Sequence, residues 1–301
     1  MSFKPLTMDE TTTKAAATLD RGHDRAIGAI LVEQGRLDPK TAAEIQEFAR
    51  ENSMRFGDAA QRLNLLTQQD VDLALAQQFN YPILERGGNN GVADELIAAH
   101  QPQNELVEPL RAVRSQLILR WFNQNRESRK VLAITSAGRG EGRSWLSANL
   151  AIVFAQIGYR TLLIDTDMRH PRQHELFNFP NSVGLSALLT GRAGREIVRR
   201  IHPQLRLFVL AAGILPPNPQ ELLGRPVFDL VLNTFAEQYD IVFLDTPAAS
   251  ESADAQLLAS LAGAAVVVTC LNRTRCAQLA AVMLNFSQSG VNVIGSIVNE
   301  R

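Results

Sequence analysis

"VLAITSAGRGEGRSWLSANLAIVFAQIG", Val131 to Gly158, joins a continuous apolar run to a helical pattern through a segment with three glycines, a basic residue and a hydroxyl. Glycine backbones can turn their N–H groups inward, and the helix that follows presents its positive end, so such a segment suits a phosphate. Gly138, Gly140 and Gly142 supply the turn. Arg143 is then expected to face the β- and γ-phosphates of a nucleotide, and the Ser144 hydroxyl, at the start of the helix, to ligate Mg²⁺. The strict pattern GxxxxGK[ST] is broken twice, by Ala137 and by Arg143. Taken alone, the stretch also fits an ordinary glycine-rich turn from strand to helix.

Outward from this stretch, short β-branched runs alternate with helical patterns. The strands expected are Val131–Ala137, Thr161–Asp165, Leu205–Leu210, Asp240–Asp245, Ala264–Leu271 and Val291–Val298. The helix after the glycines places Leu146, Leu150, Val153, Phe154 and Ile157 on one face. Strands apolar throughout imply burial on both sides, hence a mainly parallel sheet flanked by helices. Ligands of such sheets sit at the carboxyl ends of the strands. "LLIDTDMR" puts Asp165 and Asp167 at one such end, and "IVFLDTP" puts Asp245 at another. Carboxylates gathered at neighbouring tips repel one another, so a cation is expected among them, with Mg²⁺ and a nucleotide the natural pair.

Guanidinium at position 143 keeps its charge and grips phosphate oxygens with paired N–H bonds, but it aims differently from a compact ammonium. Binding is therefore expected to survive better than turnover. A misaimed cation beside a transferring phosphoryl group costs roughly 2 to 4 kcal/mol of barrier. Trp145 is expected to pack the helix against the sheet.

The chain has 301 residues, 46% hydrophobic and 20% charged, with a formal net charge of −1. That length accommodates one large domain and one small one. Near-neutrality excludes a field of one sign that would gather nucleic acid or anionic lipid nonspecifically, while a local basic patch stays open. Cys270 and Cys276 are the only cysteines, which points to a reducing compartment. The start "MSFKPLTMDETTT" has no apolar core of the signal-peptide kind, and the longest apolar stretch, Leu257–Leu271, is short of the roughly 20 residues that span a bilayer. A cytoplasmic protein is expected, with any membrane role passing through a partner.

Residues 22–84 read as a separate helical module. "AIGAILVEQGRLDPKTA" (Ala26–Ala42) echoes "RFGDAAQRLNLLTQQDV" (Arg55–Val71), with Gly28 matching Gly57. Each copy is expected to run from a helix through a turn at Gly35 or Asn64 to a cap at Asp38 or Thr67 and a second helix. "ERGGNNGVADE" suggests a flexible linker, drawn over 85–104, before the large domain at 105–301.

Together these residues resemble the bacterial tyrosine kinases of capsule and exopolysaccharide synthesis, most closely the EpsG type of chain-length-determinant kinase. The resemblance spans about Asn104 to Glu300 and rests on "EPLRAVR", "SAGRGEGRS", "LLIDTDMRHP", "PPNPQELL", "YDIVFLDTP" and "GSIVN". It implies a P-loop NTPase fold of the MinD/ParA type, ATP or ADP with Mg²⁺ as cofactor, and protein-tyrosine phosphoryl transfer. The nucleotide would be held by Gly138, Arg139, Gly140, Glu141, Gly142, Arg143, Ser144 and Trp145, with Asn299. Ser144, Asp165 and Asp245 would handle Mg²⁺. Arg143, Asp165, Asp167 and Asp245 would be catalytic, with Asp165 and Asp167 helping to activate a tyrosine hydroxyl. Glu108, Arg111 and Arg114, which also share one helical face, would join subunits into a ring. A membrane chain-length determinant of the Wzc/Wzz kind would recruit the chain to the inner membrane and regulate polymer length with it. The family's tyrosine-rich tail has no counterpart here; Tyr81, Tyr159 and Tyr239 are the only tyrosines, and the latter two directly precede expected strands.

The helical module resembles the N-terminal domain of secretion and pilus ATPases of the GspE and MshE type. Some of these bind cyclic di-GMP, and the corresponding positions are Gly28, Arg55, Gly57 and Gln78. Ala26 and Ala49 stand where the first motif carries arginine and glutamine, so a plain docking domain is the leading expectation. For the whole chain two other functions compete with the kinase: an ATP-driven assembly switch without catalysis, favoured by Arg143, and a partitioning-type ATPase, whose signature lysine is replaced by Gly138.

Overall fold

The computed structural model describes residues 27–79, 81–84, 91–123 and 130–300. It divides into two compact units, Met1–Ile83 and Leu84–Arg301. The expected module residues 22–26 and linker residues 85–90 lie outside the described residues.

In the first unit, helix α1 (Ile27–Glu33) ends at Gly35, whose φ of +69° closes the turn. Asp38 then caps α2 (Pro39–Glu51), accepting from the N–H groups of Lys40 and Thr41. The second copy repeats the plan: α3 (Phe56–Arg62), a left-handed Asn64 at φ +55°, and α4 (Gln68–Gln78), begun by a reciprocal capping box between Thr67 and Asp70. Ile30, Leu31, Ile45, Ala59, Ala60, Val71 and Ala74 form the shared core. Close packing accounts for the two matched glycines. A Cβ on Gly28 would stand 3.2 Å from the Phe56 ring, and one on Gly57 would stand 2.7 Å from Val71 Cγ1.

The second unit runs α5 (Ile97–His100), α6 (Val107–Leu117), β1 (Val131–Ser136), α7 (Arg143–Gln156), β2 (Thr161–Asp165), α8 (Gln173–Leu176) and α9 (Leu185–Leu189). It continues with β3 (Arg199–Arg200), β4 (Leu207–Leu210), α10 (Pro219–Leu223), α11 (Pro226–Gln238), β5 (Ile241–Asp245), α12 (Asp254–Ala262), β6 (Ala264–Cys270), α13 (Cys276–Gln288) and β7 (Asn292–Asn299). The strands form one sheet in the order β3-β4-β2-β5-β1-β6-β7. All neighbours are parallel except β3 on β4. Strands β1, β2, β5 and β6 are buried along their whole length, as continuous apolar runs require when helices cover both faces. One face packs around Phe122, Leu150, Phe154 and Phe243, the other around Phe228, Phe235, Leu244 and Phe286.

Three expectations need correction. Residues 91–104 are no linker where they are described: Val92, Leu96, Ala98 and Ala99 are buried in the same core as Phe154. The composition of "GGNNG" masked the apolar residues that follow it. Helix α7 is buried on nearly every side rather than on one face, with Ser147, Asn149 and Gln156 inside and Ile157 46% exposed. The overlying segment supplies its polar residues with partners: Asn149 Oδ1 accepts from the Ala98 N–H at 3.0 Å, and Gln156 donates to the Ala98 carbonyl at 2.8 Å. Finally, a two-residue antiparallel strand, β3, closes one edge of the sheet; two arginines carry no strand signal.

Candidate active site

The chain reverses between β1 and α7 through Gly140 (φ +74°) and Gly142 (φ +95°), conformations that side chains resist. A Cβ at Gly142 would also meet Asn299 Nδ2 at 2.3 Å. Glu141 is 2% exposed and its carboxylate turns inward. It accepts from the Gly138 N–H at 3.0 Å and from the Thr274 hydroxyl at 2.5 Å. Asn299, at the end of β7, donates to the Glu141 carbonyl at 3.2 Å, and Arg273 donates to the Gly140 carbonyl at 3.1 Å. The loop is thus braced from the tips of β6 and β7. Arg139 stays on the surface, 4.0 Å from Glu251.

Arg143 is 7% exposed and folds back against the residues that precede the loop. Its Nη1 donates to Ser136 Oγ at 2.6 Å and to the Gly138 carbonyl at 3.2 Å, while Nη2 lies 3.6 Å from Asp167 Oδ2. Position 143 therefore links the loop floor to one of the strand-tip acids.

The other two acids face each other. Asp165 and Asp245 are register partners across β2 and β5, and both are fully buried. Asp165 Oδ2 accepts from the backbone N–H groups of Arg172 and Gln173, each at 2.9 Å. Asp245 Oδ2 accepts from Gln173 Nε2 at 2.7 Å, with the Ser147 hydroxyl 3.4 Å from Oδ1 and Ser144 a further hydrogen-bond partner. Asp167 Oδ1 caps the next turn through the His170 N–H at 2.9 Å. Burial, and then the neighbouring charge of Asp245, holds the Asp165 carboxyl well above the usual carboxylate range. Burial also raises Asp245, against the opposing charge of Arg143 and the hydrogen bonds from Gln173 and Ser144. Two buried acids at this spacing favour sharing protons or neutralisation by a cation, and Ser144 stands beside them to complete an oxygen-rich set.

Next to the loop a cavity of about 290 Å³ opens, lined among others by Leu106, Pro109 and Val113 of α6, Trp145 and Leu146 of α7, Val268, Ile297 and Asn299. Trp145 packs against the core and donates its indole N–H to the Glu95 carbonyl at 2.6 Å. On α6, Arg111 pairs with Glu108 at 3.2 Å and donates to the Pro102 carbonyl, whereas Arg114 donates to the Val153 carbonyl at 2.9 Å. The three expected seam residues thus share a helix, but Arg114 is engaged within its own unit. Tyr239 is 6% exposed, and Tyr159 stacks edge-on against Phe154, so neither ring is free-standing. In the first unit Arg55 sits at the start of α3 without a side-chain capping bond.

Sequence reasoning missed Gln173, Arg172, Arg273 and Thr274. The last two follow the tip of β6, and strand-tip position was a usable signal for them. Gln173 carried none, because its role depends on a turn after Pro171 that returns the chain to Asp165.

No protein-family model matches the chain. The tyrosine-protein kinase YwqD of Bacillus subtilis is 33% identical over 216 residues, covering 72% of this chain and 90% of YwqD. This chain belongs to the bacterial tyrosine-protein kinases. The tyrosine-protein kinase Etk of Escherichia coli is 32% identical over 203 residues, which are 28% of that longer protein. Among solved structures, the chimeric CapA2B2 protein superposes with a TM-score of 0.64 at 30% identity, covering 75% of this chain and 97% of its own. The E. coli ETK kinase domain gives 0.65 at 30% identity, over 71% and 82% respectively. A Pyrococcus horikoshii MinD complexed with Mg-ADP, at 19% identity and a TM-score of 0.50, shares the fold. The mainly parallel sheet expected from the strand pattern, and the P-loop NTPase fold that the family resemblance implied, are therefore what this tyrosine kinase has.

Proposed function

We propose that this kinase transfers the γ-phosphoryl group of ATP to tyrosine hydroxyls, and that it regulates exopolysaccharide chain length together with a membrane chain-length determinant. The observation that carries the reading is the register of Asp165 opposite Asp245 beside the braced loop. In this reading the N–H groups of Gly140 to Ser144 hold the phosphates, in the loop that the Gly138–Glu141 hydrogen bond shapes, and the cavity beside Trp145 and Asn299 takes the adenosine. Ser144, Asp165 and Asp245 would hold Mg²⁺, which would supply charge neutralisation. Arg143 would turn from Ser136 and Gly138 toward the phosphates, and Asp167, released from it, would take the single proton of the acceptor hydroxyl, with Asp165 beside it helping to activate that hydroxyl.

Membrane recruitment in this reading comes through the partner, with the kinase on the cytoplasmic side of the inner membrane. Copies assemble into a ring through Glu108 and Arg111, with Arg114 supporting α6 from below. The helical first unit serves as a docking module; cyclic di-GMP at Gly28, Arg55, Gly57 and Gln78 is its alternative ligand, tested by titrating the dinucleotide calorimetrically into the full chain.

The experiment for the main reading incubates the pure protein with labelled ATP and the cytoplasmic part of its membrane partner. Label on tyrosine is expected. A second reading, an ATP-driven assembly switch, is favoured by the three contacts, to Ser136, Gly138 and Asp167, that engage Arg143 within the protein. Assembly without label supports that reading, and free phosphate without protein labelling supports a partitioning-type ATPase.

A further inference from the structure

Although the whole chain carries a formal charge of −1, residues 192–206 hold five arginines against one acid, Glu196. Arg192, Arg195, Arg199, Arg200 and Arg206 are all exposed. Glu196 turns back on its own loop, accepting from the Gly194 N–H at 2.9 Å. Arg199 and Arg200 make up β3, the edge strand. Arg199 lies 5.3 Å over the Phe179 ring, and Arg200 donates to the carbonyls of Leu205 and Pro203; neither contact neutralises a charge. Beside Arg206, whose carbonyl accepts from the Thr161 N–H, Arg160 stacks over Phe208 and Tyr239 at 5.3 and 4.9 Å. Asp240, which follows Tyr239, accepts from the backbone N–H of Arg160 at 2.7 Å. Arg199 and Arg200 thus lie on the edge strand itself, with Arg192, Arg195 and Arg206 in the segments that flank it. Where α9 begins, Val183, Ile214 and Leu215 are 47%, 69% and 56% exposed on two loops tied together by paired hydrogen bonds between Asn181 and Gly213.

We propose that this edge is a docking surface for the anionic phospholipid of a bilayer leaflet, so that the kinase touches the membrane itself as well as through a partner. Guanidinium forks match phosphate oxygens bidentately, and five exposed arginines without a neutralising acid, in a unit that also exposes Val183, Ile214 and Leu215, suit the charged and apolar layers of a lipid interface. The test is co-sedimentation of the full chain with vesicles of phosphatidylcholine alone or mixed with phosphatidylglycerol. Binding is expected only to the mixed vesicles, weakening as salt is added. Arg192→Glu/Arg195→Glu/Arg199→Glu, all at exposed positions, is expected to lower the vesicle affinity by about tenfold or more. The control Arg50→Glu/Arg62→Glu, in the first unit, is expected to keep it. No vesicle binding by the native chain, equal loss in the control, or capture of poly-glutamate in place of vesicles overturns the proposal.

An independent observation at the strand tips carries a second assignment, which rests on the Mg²⁺ reading above. Gln173 is fully buried and bonds to both facing acids: its N–H holds Asp165 while its Nε2 donates to Asp245 and, at 3.1 Å, to the Ser144 carbonyl. Its Oε1 is buried without a partner among the described residues, an acceptor available to a hydrated cation. We infer that Gln173 is a positioning residue that sets the affinity for Mg²⁺. In Gln173→Met and Gln173→Asn, the Mg²⁺ concentration at half-saturation of ADP binding, read by calorimetry, is expected to rise about tenfold or more, with ADP affinity in the absence of Mg²⁺ unchanged. An unchanged Mg²⁺ dependence in either folded variant overturns this. Failure of the native chain to bind Mg-ADP instead removes the reading on which it rests.

Discussion

Glycine does different work in the two units of this kinase. Gly140 and Gly142, between β1 and α7, have φ of +74° and +95°, so it is the backbone that excludes side chains there. Gly28 and Gly57, in the first unit, have ordinary φ and are small because Phe56 and Val71 press on them. A matched glycine in a repeat can therefore mark a helix contact as readily as a ligand. The polar residues differ in the same way. Asp38, Thr67 and Asp70 cap helices at the surface, whereas Asp165 and Asp245 are held in the interior at an electrostatic cost.

The two units differ most at the buried acids. Asp245→Asn is expected to lower tyrosine phosphorylation by about a thousandfold or more while leaving the first unit folded, measured by single-turnover labelling beside circular dichroism. Equal activity would move the chemistry elsewhere. Arg143→Lys is expected to speed transfer by about thirtyfold, corresponding to roughly 2 kcal/mol, with ATP affinity little changed. A slower variant would show that guanidinium is the better cation in this loop. In the first unit, Gly57→Ala is expected to cost about 1 to 3 kcal/mol through the contact with Val71, read by denaturant unfolding, without altering ATP binding.

The smallest expected effect concerns pH. Because the folded Asp165 carboxyl titrates above its unfolded value of 3.8, the folded state binds the proton more tightly. Its contribution to stability is complete below the unfolded value and is lost as pH rises through the folded one. The Tm of the native chain minus that of Asp165→Asn, without Mg²⁺, should therefore fall as pH rises above about 4. A difference that grows with pH would mean that the carboxylate is ionised in the metal-free fold.

Strands and strand-tip acids were legible because a strand buried on both faces must be apolar throughout, so Asp165 and Asp245 stand out as breaks in such runs. The turns at Gly35 and Asn64 and the caps at Asp38 and Thr67 were legible because local backbone chemistry decides them. Residues 91–104 were misread because a glycine-rich opening says nothing about the core that receives Val92 and Leu96. Ile157 was misread because a helix covered from two sides has no single apolar face.

The parallel sheet, the glycine turn into α7 and the placing of Asp165, Asp167 and Asp245 at strand ends could be read from the chain order alone, since periodicity and local propensity act over a few residues. Only the tertiary structure decided that Arg143 folds back against the residues that precede its loop, that Glu141 braces that loop from within, and that Gln173 spans two acids. Those arrangements depend on atoms brought together across the sheet, where burial strengthens each hydrogen bond and penalises each unpaired charge.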